Sequence, residues 1–335
     1  MLLLWLFHAI VAQAADEFVP VIPHPRGALA SLDPRKPGDF SRILDAESAA
    51  LLGKPYELGP LGEGDTLPLY RLDAFDCTTF IETVMANARC FRHKPDCLEK
   101  EMRTIRYHGG RISFRNRNHV PETDWLPGNV QNGLLKDLSE TLFAGEWRTA
   151  VPTIDRELWL SSRTKEKAPK SSAAEAKPLK LAYLPVSYFF RPADLKPEAK
   201  KILDDKLAAT KKEVAEKRAA ASADQEQSHE FDKLQFRADL EYLRAAFVAE
   251  TERLKQIPSG TVLNLVRVPE KDPAKARLTT LIAHQGLIVQ RNGETRIRHA
   301  APNVGHVSDQ PLADYLLRYV RSAHFRGVAL YQILP

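Results

Sequence analysis

Cysteine is scarce in this chain. Three occur in 335 residues, at positions 77, 90 and 97. Three cysteines allow one pair and leave one odd thiol. Long hydrophobic runs are also missing. The apolar run over residues 2–11 is too short to span a bilayer as a stable helix, and no other segment is long and apolar enough to try. No cysteine follows that run, which argues against a lipid anchor. It ends in Ala12-Gln13-Ala14, an A-x-A cleavage pattern. The expectation is a signal peptide over 1–15 and a periplasmic or secreted mature protein. Charge of one sign is not concentrated either. The 48 basic and 43 acidic residues leave a formal charge of +5, and they interleave. That excludes a nucleic-acid-binding stripe. A mild positive charge favours anionic polymers.

What is present falls into unlike parts. The length allows two domains, or one with a large insert. Residues 164–180 turn to Lys, Ala, Ser, Glu and Pro, as a linker does. Residues 181–190 are apolar and aromatic and read as a strand entering the core. Residues 197–255 are charged and alanine-rich. Leu203, Leu207 and Val214 there are spaced by four and seven. Phe236, Leu240, Leu243, Phe247 and Leu254 follow a seven-residue pattern that Glu250 interrupts. The spacing predicts two helices in an antiparallel hairpin, turning near 222–228. Such an arm serves as a solvated element, or as a lid or a surface for a protein partner.

Cys90 and Cys97 flank Arg92-His93-Lys94-Pro95. In an oxidising compartment they read as a short disulfide loop, which leaves Cys77 free. The alternative is a metal site of Cys90, His93 and Cys97, but structural zinc wants a fourth ligand and none is evident.

Chemistry enters with two segments. Residues 281–290 and 295–301 flank Asn292-Gly293, the strongest short signal for a β-hairpin. A two-residue turn sets Arg291 opposite Glu294 and, counting back, Gly286 opposite His299. His284 then shares a face with His299 as its diagonal neighbour, within reach of a ring side chain. Gly286 leaves room for an imidazole. One histidine can hydrogen-bond the other and fix its tautomer, as a general base requires. The second segment is Asp76-Cys77-Thr78-Thr79-Phe80. Cys77, Phe80, Ile81, Val84, Met85 and Ala88 fall at helical spacing, with Asp76 and the threonines at the cap. A cysteine in a first helical turn, near an imidazolium, is expected to favour its thiolate. Each element alone has a plain reading: a helical cysteine as a small buried hydrophobe, a strand histidine as a structural residue. Together they suit acyl transfer.

These residues carry a resemblance. Gly53-Lys54-Pro55-Tyr56, Asp76-Cys77-Thr78-Thr79-Phe80-Ile81-Glu82, His284-Gln285-Gly286 and His299-Ala300 resemble the NlpC-type papain-like cell-wall hydrolases. They are most similar to the N-acetylmuramoyl-L-alanine amidase-like branch. Residues 105–119, with Asp124-Trp125 and Asn129, and residues 311–316 followed by Gly327-Val328, are similar to other segments of that branch. The likeness covers 39–160 and 256–335; the branch is shorter between them, so 164–255 reads as containing an insert. The resemblance implies Cys77 as nucleophile, His284 as base, His299 as its orienting partner and Tyr56 as a donor near the oxyanion. It implies Asp76 as a contact for a substrate amine, a role that competes equally with capping the helix. Thr78, His119, Asp124 and Trp125 stand as further substrate-contact candidates, with core packing the stronger role for Trp125. One departure is plain: the base histidine is flanked by Ala283 and Gln285, where the family has a small or hydroxyl residue and then valine.

The expected architecture is α+β and papain-like, with the nucleophile helix packed on an antiparallel sheet of 261–268, 279–289, 295–301 and 328–334. The signal peptide occupies 1–15. The catalytic domain is expected in two parts, 16–163 and 256–335, around linker, strand and helical hairpin at 164–255. The expected activity is hydrolysis of the N-acetylmuramic acid–L-alanine amide of peptidoglycan or muropeptides through a thioester, with no metal or cofactor. A D-glutamyl–diamino acid endopeptidase, a silent cell-wall-binding protein and a secreted acyltransferase are the alternatives.

Overall fold

The computed structural model describes residues 31–62, 69–92, 96–164, 179–190, 251–320 and 322–335, with residue 29 and scattered positions between 197 and 216. The signal-peptide reading lies outside the described residues. So does the helical hairpin's apolar pattern, except for Leu254 in a short helix, where it is buried in the core.

The first helix, α1 (Pro37–Ala49), was not evident in the sequence. It opens with proline in its first turn and buries Phe40, Ile43 and Leu44. Helix α2 (Cys77–Arg89) starts where the cap residues predict. The Asp76 carboxylate accepts from the Thr79 backbone N–H at 2.7 Å, and Thr79 Oγ1 accepts from the Asp76 backbone N–H at 2.9 Å. This reciprocal pair satisfies two donors the helix start would otherwise leave open. The expected apolar stripe is buried, and the burial continues round the helix to Glu82 and Thr83. Helix α3 (Cys97–Arg106) follows a Cys90–Cys97 disulfide. With those sulfurs joined, they are not free thiolates for a metal.

Helices α4 (Leu126–Gln131) and α5 (Arg156–Thr164) flank strands β1 (Leu135–Asp137) and β2 (Arg148–Ala150). The strand expected over 181–190 is shorter: β3 (Leu181–Pro185) gives way to a 3-10 turn at Val186–Phe189. After α6 (Thr251–Lys255) come β4 (Thr261–Arg267), α7 (Pro273–Ala276), β5 (Ile282–Arg291), β6 (Glu294–Ala301), β7 (His306–Pro311), α8 (Leu312–Leu317) and β8 (Phe325–Ile333).

The strands join in one antiparallel sheet, ordered β2-β3-β8-β4-β5-β6-β7, with β1 on the free end of β8. The sheet expected from sequence is its centre, β8-β4-β5-β6. Strand β4 is buried from Thr261 to Val266, because both faces of the sheet are covered. On one face Leu263, Leu265, Ile288, Ile297, Val328 and Leu330 pack with Tyr315 and Leu316 of α8. Gly327 lets β3 cross close to β8, since a Cβ there would lie 2.0 Å from the Leu184 carbonyl oxygen.

Two buried ionic clusters hold the layers. Arg298 on β6 is fully buried. It donates to Asp309 on β7 at 2.7 Å and to Asp45 and Ser48 of α1 at 2.9 and 2.6 Å. Glu82 on α2 takes Arg106 Nε at 2.7 Å and the Trp125 indole N–H at 3.0 Å, with Glu82 and Arg106 only 3% and 1% exposed. Breaking such a pair strands a charge in a dry site and costs about 3–5 kcal/mol. Arg106→Leu is therefore expected to destabilise the protein by about that amount in urea unfolding. The double substitution Glu82→Leu/Arg106→Leu should cost less than Arg106→Leu alone.

Candidate active site

The hairpin forms as its turn dictates. Asn292 and Gly293 take φ of 52° and 76°, as a type I′ turn requires. Pairing runs from Arg291–Glu294 back to Leu287–Arg298, so the next step sets Gly286 opposite His299. A Cβ on Gly286 would lie 2.6 Å from the Ile297 side chain and 3.3 Å from the His299 Cβ. The open space predicted at Gly286 is thus occupied. His284 Nε2 lies 2.6 Å from His299 Nδ1, with the rings at 80°. Tyr315 of α8 packs its ring against both.

Two partners of the hairpin were not evident in the sequence. The Glu122 carboxylate accepts from the backbone N–H groups of Leu281 and Ile282, holding the start of β5. Gln310 on β7 places its amide nitrogen 2.8 Å from His299 Nε2. Single-sequence patterns carry no signal for either, because both contacts bridge elements distant in the chain.

Helix α2 meets the hairpin through a buried polar chain. The Thr78 hydroxyl donates to Gln285 Oε1 at 2.7 Å. The Gln285 amide donates to Asn264 Oδ1 at 2.8 Å, and Asn264 donates to the Ala329 carbonyl at 3.2 Å. Gln285, the residue that departs from the family pattern, is the centre of this chain. Cys77 Sγ lies 4.0 Å from Thr78 Oγ1 and receives the Gln285 backbone N–H. Since the Thr78 proton points to Gln285, the thiol is the donor in its contact with Thr78.

Electrostatics overturn one expectation. Burial, then the Asp76 charge, pushes the Cys77 thiol up to about 12. Burial, then His299, pushes His284 down to about 3. His299 falls to about 4, through burial and then the Arg318 charge. Desolvation outweighs the helix terminus, and no imidazolium stands beside the sulfur at neutral pH. These shifts favour a neutral thiol and neutral imidazoles at rest over a thiolate.

Tyr56 lies beside Phe75, and its backbone N–H donates to Gly305 at 2.8 Å. Its phenol is raised to about 12, first by burial and then by its neighbours Cys77 and Asp76, so it keeps its proton. Asp76 caps α2 and also accepts from the Gly59 N–H at 3.3 Å. The structure thus groups Cys77, Thr78, Tyr56 and Asp76 at the start of α2 and links them through Gln285 to the strand that carries His284, which pairs with His299.

The other candidates have structural partners. His119 donates to the Phe114 carbonyl at 2.7 Å and packs between the rings of Phe114 and Trp159. Burial lowers it to about 4. Asp124 accepts from Arg156 at 2.9 Å. Trp125 has no exposed surface and donates to Glu82, so it offers no face to a sugar; packing is its role. A cavity of about 870 Å³ opens at the far end of α2, lined by Arg89, Arg92, Asp96 and Lys100 and by none of the candidate site residues.

Comparison with known proteins fits this geometry. Residues 46–190 match the AmiA-like family, described as N-acetylmuramoyl-L-alanine amidase-like. The match takes in Tyr56, Asp76, Cys77 and Thr78 and stops short of both histidines. No curated protein matches the chain. Among solved structures it is similar to a Legionella pneumophila protein of the DUF1460 family, at 23% identity and a TM-score of 0.62, covering 88% of this chain and 89% of that one. It is also similar to an N-acetylmuramoyl-L-alanine amidase from Bacteroides uniformis, at 16% identity and a TM-score of 0.57, covering 89% of this chain and 100% of that one. At such identities the likeness is one of fold. The chain shares an α+β fold with an antiparallel sheet with these proteins, and over 46–190 it carries the sequence pattern of the amidase-like family.

Proposed function

We propose that this protein is a cysteine-dependent amidase on a papain-like, NlpC-type fold, secreted to act on peptidoglycan or its muropeptides. The bond assigned is the amide between N-acetylmuramic acid and L-alanine. The observation that carries this reading is the 2.6 Å bond between His284 and His299, set one residue from the backbone N–H that meets the Cys77 sulfur. The match of 46–190 to an amidase-like family supports the choice of substrate.

The chemistry runs as follows. Cys77 Sγ attacks the amide carbonyl carbon as its proton passes to His284. Nε2 of His284 faces His299, so Nδ1 takes the proton. The carbonyl oxygen becomes an oxyanion, to which the Tyr56 hydroxyl donates. Collapse breaks the C–N bond, and the amine leaves with the proton from His284. Water, deprotonated by the same nitrogen, then opens the thioester and restores the thiol. His299 keeps the ring in place and accepts from the imidazolium. Because both groups rest neutral, charge develops during attack, where fixed donors act most strongly.

Mass spectrometry of muropeptides tests the assignment. The wild type is expected to release the intact stem peptide from the sugar, and Cys77→Ala to release none. Cleavage within the stem would assign the endopeptidase instead. Tyr56→Phe is expected to lower kcat by about 10²–10³ with a much smaller change in KM, as loss of one oxyanion donor does. Protonating the histidines removes the base. The kcat/KM profile should therefore stay level through neutral pH and fall only as the pH drops through about 4 toward about 3. Those values belong to the coupled pair. A fall centred near the ordinary imidazole value of about 6.5 would contradict this picture.

A further inference from the structure

The hydrogen bonds behind His284 fix more than its orientation. Arginine only donates, so the contact of Arg318 Nη2 with Gln310 at 2.8 Å must end on the amide oxygen. The other end of that amide, its NH₂ group, then faces His299 Nε2 at 2.8 Å and donates to it. A neutral imidazole has one proton. With Nε2 accepting, the His299 proton sits on Nδ1 and points at His284 Nε2, 2.6 Å away. His284 accepts there, so its own proton is on Nδ1. That is the nitrogen required to take the thiol proton, and in this arrangement it is already occupied. The sulfur is consistent with this state, since Thr78 gives its proton to Gln285 and leaves the thiol as the donor in their contact.

We propose that Gln310 is a positioning residue that decides which nitrogen of His284 carries the proton, and that Arg318 locks it in the arrangement where His284 cannot act as a base. The proposal rests on the reading of Cys77 and His284 as nucleophile and base. Turning the Gln310 amide over reverses every bond in the chain. Its oxygen then accepts from His299 Nε2–H. His299 Nδ1 accepts from His284 Nε2–H, and His284 Nδ1 is left with its lone pair. Attack breaks the S–H bond and forms an N–H bond at Nδ1, with the imidazolium charge shared toward His299. The turned amide would aim its NH₂ group at Arg318, so the lock opens only when that guanidinium withdraws. Arg318 is exposed and is free to do so. Around His299 the charged and titratable groups are Arg318, Asp309, His284 and Tyr315. Arg318 opposes a positive ring and Asp309 favours one.

Two substitutions separate the arrangements. In Gln310→Glu the carboxylate only accepts, which forces the base-competent order. Arg318→Leu releases the amide by a change at an exposed position. The full chain labelled with ¹⁵N-histidine reports the tautomer of His284 directly at neutral pH, with His284→Asn used to assign the signal. Cys77 is the free cysteine beside a paired Cys90–Cys97, so its alkylation by iodoacetamide reports thiol activation without any wall substrate. The wild type should carry the His284 proton on Nδ1, and Gln310→Glu should carry it on Nε2. Alkylation should rise about tenfold in Gln310→Glu, the scale of one net hydrogen bond, and by a smaller factor in Arg318→Leu. A purely structural role would lower the melting temperature and leave the tautomer unchanged. An Nε2–H tautomer in the wild type, or no change in tautomer and alkylation in the variants, overturns the proposal. If Gln310→Glu does not fold, Arg318→Leu decides it by the same two readouts. Failure of the wild type to cut muropeptides would instead overturn the substrate assignment and leave the tautomer result standing.

Discussion

The hydrogen bond from Thr78 to Gln285 joins residues 207 positions apart, and the site depends on it. It ties the first turn of α2 to the strand that carries His284. Gln285 is fully buried, so each end of its amide must be met. Thr78 meets the oxygen and Asn264 meets the nitrogen. An apolar residue at 285 would remove both bonds and leave the Asn264 amide oxygen unpaired in the sheet. Leaving a buried polar group unsatisfied costs about 1–3 kcal/mol, more than the bond itself contributes. The chain therefore resists sliding of α2 along β5 in a way that apolar contacts alone would not.

Two carboxylates extend the same restraint. Glu82 anchors α2 from behind through Arg106 and Trp125. Glu122 holds the start of β5 by its backbone N–H groups. Each is buried, and each has its charge met by donors on a different element. The segment containing Asp124 and Trp125 acts on the site through Glu122, by fixing the strand that presents His284. Arg298 does the corresponding work at the other edge, binding β6 and β7 to α1. The histidine pair is thus supported from the strand, from the neighbouring strand and from the helix that closes over it.

Burial decides the state of the reacting groups. A helix N-terminus stabilises an anion by a modest amount, whereas removing a thiolate from water opposes it more strongly. The thiol is accordingly raised and both imidazoles lowered. Tyr56 and the Gln285 N–H, the neighbours of the Cys77 sulfur, are held in place by the sheet and the capped helix.

The parts of this arrangement that depend on neighbours in the chain were legible in the sequence. Asn292-Gly293 specifies a turn, the turn specifies register, and register places His284 beside His299. Asp76 and Thr79 specify where α2 begins, and Cys90 and Cys97 are close enough to pair. Local sterics and short hydrogen-bonded rings determine these features, so residue order suffices. The sequence did not disclose α1, β7, the shortened β3 or the partners Glu122, Asn264 and Gln310. It also suggested a thiolate, where burial in the fold favours the thiol. Those outcomes belong to tertiary structure, because desolvation and long-range hydrogen bonds depend on which distant side chains close over a group.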